Sequence, residues 1–528
     1  MAATTVDFDE LMPASDTDQS WVPPRWWGAT AGVTAVLAAL GVGQLAAGFD
    51  SDAVHPVVSV GDRVIDHVPA PIKRFGIDVF GTSDKTALVI GTVIILFILG
   101  AVAGVTALRK NLNVGMGIVA AFGVIGVLAA TTGDGPTDPW YPSVVAAAAA
   151  AAALWRFHRW SYPTAPAGRP AAGTEADRRR FLMGTVAVSA GAIFAGLIGT
   201  GLRSRFDAEL QRVGVRLPAP SSQLPPLPVD PAGEIPGLSP FVIPNDRFYR
   251  IDTALIPPSI TLADWTLTID GMVDTPVTFT YEELSQRKLI EVDVTISCVS
   301  NEVGGRLVGN ARWTGVRLDE LLGLAGMSPD ADQIVGHSVD GWTGGFPTSI
   351  IDGRDAILAL GMNGEVLPVE HGFPARLIIP GLYGYVSATK WIERIEITRF
   401  DQVEGYWIPR GWSASGPIKT QSRIDTPSSG RQLTAGAHPI AGVAWAPTRG
   451  IAKVEVQVDD GPWMVASLGP EVSMSTWRQW WVSWDATSGS HTIRVRATDG
   501  DGQIQTSDLA DVAPNGATGW HTVDVDVV

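Results

Sequence analysis

The 528-residue chain carries a single cysteine, Cys298, and that scarcity excludes more than any other feature of its composition. One thiol cannot close an intrachain disulfide, build a zinc site from cysteines, hold an iron–sulfur cluster or attach a c-type haem. Thiolate chemistry in this chain can run only through Cys298. Charge is thin as well, with Asp, Glu, Lys and Arg making up 17% of the residues. The balance is acidic, a formal net charge of −16 and a pI near 4.9. A nucleic-acid partner would need a basic stripe, so none is expected; the acidity suits the solubility of an exposed domain. The eight histidines, at 55, 67, 158, 337, 371, 438, 491 and 521, avoid the long apolar runs. No pair of axial haem ligands therefore stands inside a membrane span, and no haem is expected.

What the chain has in excess is apolar sequence, with a mean hydropathy of +0.17. The excess is concentrated in residues 26–49, 87–108, 114–130, 143–155 and 181–202, stretches almost free of charge. Runs of roughly 17–25 apolar residues span a bilayer core, so the pattern predicts about five transmembrane helices, the short Ala-rich 143–155 being the weakest. Arg109 and Lys110, and then Arg156, Arg159, Arg169 and Arg178 to Arg180, fall between spans; residues 131–142 hold Asp134 and Asp138 but no Lys or Arg. The positive-inside rule puts the N-terminus inside and everything after Leu202 outside, with Lys73 and Arg74 in an outer loop counting mildly against it. If 143–155 does not cross, the C-terminal part faces inward. Arg178-Arg179-Arg180-Phe181-Leu182 resembles a twin-arginine export signal, which carries proteins already folded around a cofactor; without an obvious cleavage site the segment stays as an anchor.

Four regions follow from the texture. Residues 1–202 form the membrane domain, and 203–239, rich in Pro, Ser and Leu, read as an extended linker. Residues 240–425 mix short β-type runs, as at 265–269, 289–297 and 375–379, with brief helical patches at 281–286 and 318–324, an α+β pattern. Residues 426–528 are nearly pure β, with runs at 443–446, 451–458, 477–485 and 491–498 and turns at Asp459-Asp460-Gly461 and Asp499-Gly500, which suggests a small sandwich.

Chemistry could reside in two places. Cys298 ends a β-type run and is followed by polar Ser300 and Asn301. A lone cysteine is ordinarily a small buried hydrophobe, but a strand end is where reactive groups are displayed, and a thiolate is a soft ligand suited to a heavy metal. The second is the block 362–376, where His371 and Arg376 flank a Gly-Phe-Pro turn, followed by Gly381 to Gly384 and then Thr389-Lys390-Trp391. Fixed positive charge beside Gly-rich backbone is what a phosphate-bearing ligand needs, although scattered surface charge would give the same composition.

In order along the chain, Asn245-Asp246-Arg247-Phe248-Tyr249-Arg250, Cys298 with Asn301, residues 310–318, the His371 to Arg376 block, Lys390-Trp391 and residues 514–521 resemble the sulfite oxidase family of molybdenum enzymes. The resemblance covers about 240–528 and leaves out the membrane segment. It implies a molybdopterin-binding α+β domain and an immunoglobulin-like domain of the dimerisation type, compatible with a homodimer. It implies one molybdenum per chain, held by the pterin dithiolene and by the Cys298 thiolate. His371, Arg376 and Lys390 would hold the pterin and its phosphate, with Ser387, Ala388 and Thr389 giving backbone contacts. Asn245, Phe248, Tyr249 and Arg250 would close one side of the site, and Ser338 or Asp340 the other. Tyr249 and Arg250 would join Cys298 in the catalytic set.

One departure bears on the substrate. Sulfite-oxidising members carry a basic residue soon after the Cys-x-x-Asn motif, whereas Glu302-Val303-Gly304-Gly305 follows here. A cationic sulfite pocket is thereby put in doubt, and Trp342, Phe346 and Tyr383 could line a less charged one. The expectation is a membrane-anchored oxidoreductase that transfers an oxygen atom to or from a small oxyanion or oxide and exchanges electrons with a separate, unidentified partner. The rival reading is a membrane-tethered binding protein that keeps the fold without catalysis.

Overall fold

The computed structural model describes residues 22–50, 53–69, 72, 79–80, 84–132, 137–162, 175–203 and 208–528. Lys73, Arg74, Asp134 and Arg169 lie outside the described residues. The chain divides into one unit of Met1–Gly133 with Thr137–Arg205 and another of Asp134–Pro136 with Phe206–Val528.

The first unit is helical: α1 (Arg25–Ala47), α2 (Pro56–His67), α3 (Asp84–Arg109), α4 (Leu112–Thr131), α5 (Tyr141–Ser161) and α6 (Glu175–Arg203). Among the described residues, four helices, α1, α3, α4 and α6, are long and apolar enough to cross a membrane. The fifth expected span, α5, runs 21 residues but is not among them; its last turns carry Arg156, His158 and Arg159. Lipid gives apolar helices no hydrophobic reason to associate, so close approach through small residues does the work. A Cβ on Gly32 would stand 1.8 Å from the Gly100 carbonyl oxygen, and one on Gly104 would stand 2.1 Å from that of Gly28, which locks α1 against α3. Arg178 to Arg180 lie within α6 and not in a connecting loop. The next residue, Phe181, is fully buried and stacks on Trp27 with ring centroids 4.4 Å apart.

The second unit opens with α7 (Ala208–Gly214). The Pro-rich stretch that follows is extended, as expected, but it is not a free spacer. Ser221 N–H donates to the Leu289 carbonyl (2.9 Å), Leu224 N–H donates to Glu291 (3.0 Å), and Ser222 bridges to Ile290. Proline removes donors, yet the remaining N–H groups of this stretch find acceptors along a strand edge, and that binds it to the folded unit.

Ten strands then form two sheets: β1 (Thr266–Gly271), β2 (Val277–Thr280), β3 (Ile290–Ser297), β4 (Val308–Arg317), β5 (Gln333–Ser338), β6 (Thr343–Pro347), β7 (Ile357–Met362), β8 (Glu365–Val366), β9 (Arg376–Ile378) and β10 (Ile392–Thr398). One sheet runs β2-β1-β10-β5-β6; the other runs β3-β4-β7-β8, with β9 beside β7. Three short helices intervene, α8 (Tyr281–Ser285), α9 (Leu318–Ala325) and α10 (Gly384–Ser387). Leu267, Ile269, Ile334 and Ile395 of the first sheet share one core with Val316, Leu358, Leu360 and Leu377 of the second.

The C-terminal region is all β, in sheets of four and five strands: β11 (Gln421–Thr426), β12 (Gln432–Leu433), β13 (Gly436–Trp445), β14 (Ile451–Val458), β15 (Met464–Val465), β16 (Ser467–Leu468), β17 (Arg478–Ala486), β18 (Gly489–Asp499) and β19 (His521–Val527). The orders are β11-β13-β17-β16 and β12-β19-β18-β14-β15, around a core of Ile440, Trp480, Val454, Val456, Ile493, Val495 and Val525. β11, which begins at Gln421, pairs with β13 and so belongs to these sheets.

These sheets grip the end of β3. Trp477 N–H donates to Thr295 Oγ1 (2.7 Å), and its indole N–H donates to the Phe241 carbonyl (2.9 Å). The Arg423 guanidinium donates to the Gly305 carbonyl (2.9 Å), and a Cβ on Gly304 would stand 2.1 Å from the His521 ring. His521 Nδ1 accepts from Ile424 N–H (2.9 Å), and burial with nearby Arg423 pushes its pKa down to about 4 against the opposing pull of Asp425. A ring held neutral in the fold but titrating near 6.5 when unfolded favours the native state fully above that pH, and the contribution drains away as pH falls towards 4. The unfolding midpoint should therefore drop between pH 6.5 and 4. His521→Asn, which keeps an acceptor without a titrating ring, should drop less, and equal slopes in a pH series of melting curves would remove His521 as the cause.

Candidate active site

β3 lies in the middle of the problem because it is buried on both faces along most of its length and then stops. Val292, Val294 and Ile296 pack into a core with Trp313 and Phe373, and the residue after the strand is Cys298. The thiol is buried and free of any disulfide. Its backbone N–H donates to the Leu307 carbonyl (2.9 Å), and Asn301 Oδ1 accepts from Leu307 N–H (2.7 Å), so a closed loop fixes the position of Sγ. Burial raises the thiol pKa, with hydrogen bonds to Ser300 opposing. A bound cation inverts that preference and favours thiolate.

Cys298 opens onto a cleft lined also by Tyr249, Arg250, Ser338, Asp340, His371, Arg376, Ala388 and Lys390. Segments far apart in sequence supply them: the loop after the 3-10 turn Asn245–Arg247, the β5–β6 connection, the 3-10 turn Val369–His371, β9 and the approach to β10. Four other expected residues stand behind the wall. Asn245 accepts from Asn363 at Oδ1 (2.8 Å) and from the His371 Nε2–H at its carbonyl (2.8 Å). Phe248 supports Tyr249 and His371 from the side, with centroids 5.3 and 5.6 Å away. Ser387 donates to the Tyr383 carbonyl (3.1 Å), and Thr389 is buried against Gly336, where a Cβ would lie 2.4 Å from its Oγ1.

The electrostatic centre is Arg376. It is 4% exposed, and it has no carboxylate within ion-pair distance among the described residues. It donates to the His371 carbonyl (3.1 Å), stands over the Trp313 ring at 5.1 Å, and leaves Nε buried without an acceptor. Burial pulls its pKa down to about 10, only partly offset by Tyr249. An uncompensated buried cation costs several kcal/mol, so this group is built to receive an anion. Ser338 Oγ in the same cleft is likewise buried without a partner. Gly372, at φ +113°, lets the chain fold tightly here, since a Cβ would be 3.1 Å from that of Arg376 and 3.0 Å from that of Lys390. Trp391 is held at φ +50°, its indole N–H donating to the Val369 carbonyl (2.8 Å), which turns Lys390 into the cleft.

Lys390 and Arg250 are arranged differently from Arg376. Both pair with Asp252, whose side chain is 1% exposed, Arg250 through Nε at 2.5 Å. Arg250 also reaches Glu370 at 4.0 Å. His371 stays neutral, its pKa lowered by burial despite the bond to Asn245. Tyr249 keeps its proton strongly, because burial and the neighbouring Cys298 outweigh the pull of Arg376.

Sequence reasoning missed Asp252, Tyr385, Trp407 and Trp412, which also line the cleft. Of the three aromatic residues expected there, Trp342 lines it, whereas Phe346 and Tyr383 are core residues. Asp252 lies two residues beyond a quoted motif, and a carboxylate alternating with a cation was the available signal. Nothing in the local pattern marked the Trp-rich stretch 407–412. Glu302, which directly follows the Cys-x-x-Asn motif, is exposed to solvent.

The family described as oxidoreductase molybdopterin binding domain matches residues 254–407. An uncharacterized oxidoreductase, YuiH, of Bacillus subtilis (strain 168) is 30% identical over 191 residues, which is 35% of this chain and 90% of the relative. Sulfite oxidase of Arabidopsis thaliana is 26% identical over 349 residues, covering 54% and 88% of the two chains. Sulfite oxidase of Gallus gallus is 25% identical over 336 residues, covering 53% and 72%. Among solved structures, the sulfane dehydrogenase SoxCD of Paracoccus pantotrophus is 23% identical, covers 54% of this chain and 81% of its own, and has a TM-score of 0.48. The chain belongs to the sulfite oxidase family of molybdopterin oxidoreductases, and it is an oxidoreductase.

The unpaired Arg376 guanidinium and the Ser338 hydroxyl fit a phosphate-bearing cofactor with polar ring edges. Arg376→Met, which removes the charge and keeps the length, should cut the pterin retained after purification by at least about tenfold, as loss of a buried charge-assisted pair does. Pterin fluorescence after oxidative release measures this directly, and retention at the wild-type level would move the phosphate site elsewhere.

Proposed function

We propose that this chain is a membrane-anchored molybdenum-cofactor enzyme that transfers an oxygen atom to or from a small substrate and exchanges electrons with a separate partner. The observation that carries the reading is one cleft with Cys298 on one wall and the unpaired Arg376 on another. Arg376, Lys390 and His371 would hold the pterin and its phosphate, and Cys298 would give the soft thiolate ligand. When bound, one molybdenum per chain supplies the two-electron oxygen-atom transfer, with no haem required in this chain. The chain's own residues position and protonate. Tyr249 Oη keeps its proton and can donate it to a hydrogen bond on the substrate oxygen. Asn245 and Phe248 orient His371 and Tyr249 from behind. The pairing of Arg250 and Lys390 with Asp252 supports a weakly charged substrate over an oxyanion.

Elemental analysis of full-length protein, made in a host that supplies the cofactor, should find molybdenum. Its absence from fully folded chain sinks the reading. Cys298→Ser should abolish turnover while the melting curve stays near wild type, because a harder oxygen ligand changes the metal's potential far more than it changes packing. Wild-type rates in that variant would take Cys298 out of the metal's coordination.

The same reading places the catalytic region outside the cytoplasm, with the C-terminal sheets as an immunoglobulin-like sandwich compatible with a homodimer. Support for five crossings comes from α5, whose 21 residues reach about 31 Å at 1.5 Å per residue, the thickness of a bilayer core. The seating of Phe181 on Trp27 supports α6 as a retained anchor and not a cleaved leader. A fluorescent protein that matures only in the cytoplasm, fused after Val528, should stay dark while a periplasm-active reporter fused at the same point is active. Bright fluorescence from intact fusion places the domain inside.

A further inference from the structure

Residues 146–153 of α5 are alanine without a break, and such small side chains leave room beside a helix. α5 and α6 both pack along α1 and meet each other far less. Between them runs an apolar groove, floored by Ala38 and Val42 of α1 and walled by Ala152 and Ala153 of α5 and by Val188 and Gly191 of α6. Its frame is tightly packed. A Cβ on Gly41 of α1 would stand 2.0 Å from the Ala192 carbonyl oxygen of α6. One on Gly184 would stand 2.2 Å from the Trp160 ring, so α5 and α6 close on each other at that end. A Cβ on Gly191, by contrast, would meet no atom within 4 Å, which leaves the groove open at that point.

Charge marks the closed end. Trp155 and Arg156 complete the lining there. Arg156 is exposed, with its guanidinium over the Trp160 ring at 4.6 Å, and no carboxylate stands within ion-pair distance of it among the described residues. Arg159 lies over Trp155 at 5.3 Å. Tryptophan beside arginine at a helix end is the pattern of the headgroup level of a bilayer, where the long cation reaches phosphate while its stem stays in apolar surroundings. An empty apolar slot forfeits dispersion contacts, and the molecule at hand in lipid to fill it is an acyl chain. The phosphate of that lipid then comes to the charged end. A zwitterionic headgroup brings its own cation to compete with Arg156, and an anionic headgroup does not.

We propose that this groove binds one anionic phospholipid, with an acyl chain along Ala152 and Gly191 and the phosphate on Arg156. The site rests on the membrane reading of α1, α5 and α6 and is independent of the cofactor reading.

The test uses full-length protein stripped of lipid in a mild detergent and titrated with phosphatidylglycerol or phosphatidylcholine, with native mass spectrometry counting the bound lipid. One phosphatidylglycerol should bind about fivefold more tightly than phosphatidylcholine, the scale of one basic residue at a lipid surface. Arg156→Gln should erase that preference and leave phosphatidylcholine binding unchanged. Gly191→Leu puts a side chain into open space and so spares the helix packing; it should weaken both lipids by at least about tenfold, since the two chains cannot share the groove. Equal affinity of the wild type for the two lipids, a preference that survives Arg156→Gln, or unchanged binding in Gly191→Leu each overturns the proposal. A dimer of the chain that Gly191→Leu dissociates, with lipid binding unmoved, gives the groove to a second copy and overturns it as well. A chain that alkaline carbonate washes from membranes takes down the membrane reading and this site together.

Discussion

The site depends on a buried cation that has no carboxylate partner among the described residues. Arg376 is buried at the start of a three-residue strand, held by a backbone carbonyl and an indole face, with no carboxylate among the described residues to neutralise it. Such a group opposes folding, by several kcal/mol if nothing compensates it. Its neighbours are arranged so that it can be tolerated but not satisfied. Gly372 leaves room for Arg376 and Lys390 to pack against the His371 turn, and the left-handed Trp391 follows Lys390. A fold that tolerates such an arrangement gains most when an anion arrives at this side chain.

The contrast with Arg250 and Lys390 shows how a cleft can hold several cations and still be selective. Asp252 is as buried as Arg376, but it sits between two of the cations and cancels their field locally. Three positive side chains in one cavity therefore do not make a broadly cationic cavity. An anion is held where the compensation is missing and only weakly where it is present.

Much of the fold was legible because its signals are local. The apolar runs became helices within a few residues of their expected ends, and the runs at 289–297 and 451–458 became β3 and β14. The amphipathic α2 was not seen, since its apolar residues are too few for a span and its cap is His55, an uncommon choice. The extended form of the Pro-rich stretch was legible, but its docking was not, because that depends on Leu289 and Glu291, about 65 residues away. The site divides the same way. Ordered motifs pointed to Cys298, His371, Arg376 and Lys390, all of which the fold brings to one cleft. Which of the residues 387–390 faces the cleft depends on a backbone turn, and there Ala388 and Lys390 face in while Ser387 and Thr389 do not. The aromatic side was invisible because loop residues about 65 apart, such as Trp342 and Trp407, meet only in three dimensions.

The grip of the C-terminal sheets on the cysteine loop ties their stability to the chemistry. Gly304 has no side chain, and a Cβ there would overlap the His521 ring; Arg423 takes the next carbonyl; Thr295, three residues before Cys298, accepts from Trp477. The loop that presents the thiol is therefore shaped on one side by β3 and on the other by strands more than 100 residues later in the chain. A side chain whose chemistry depends on its exact position needs such a rigid support. The C-terminal region is thus part of the site's mechanical frame, whatever else it binds.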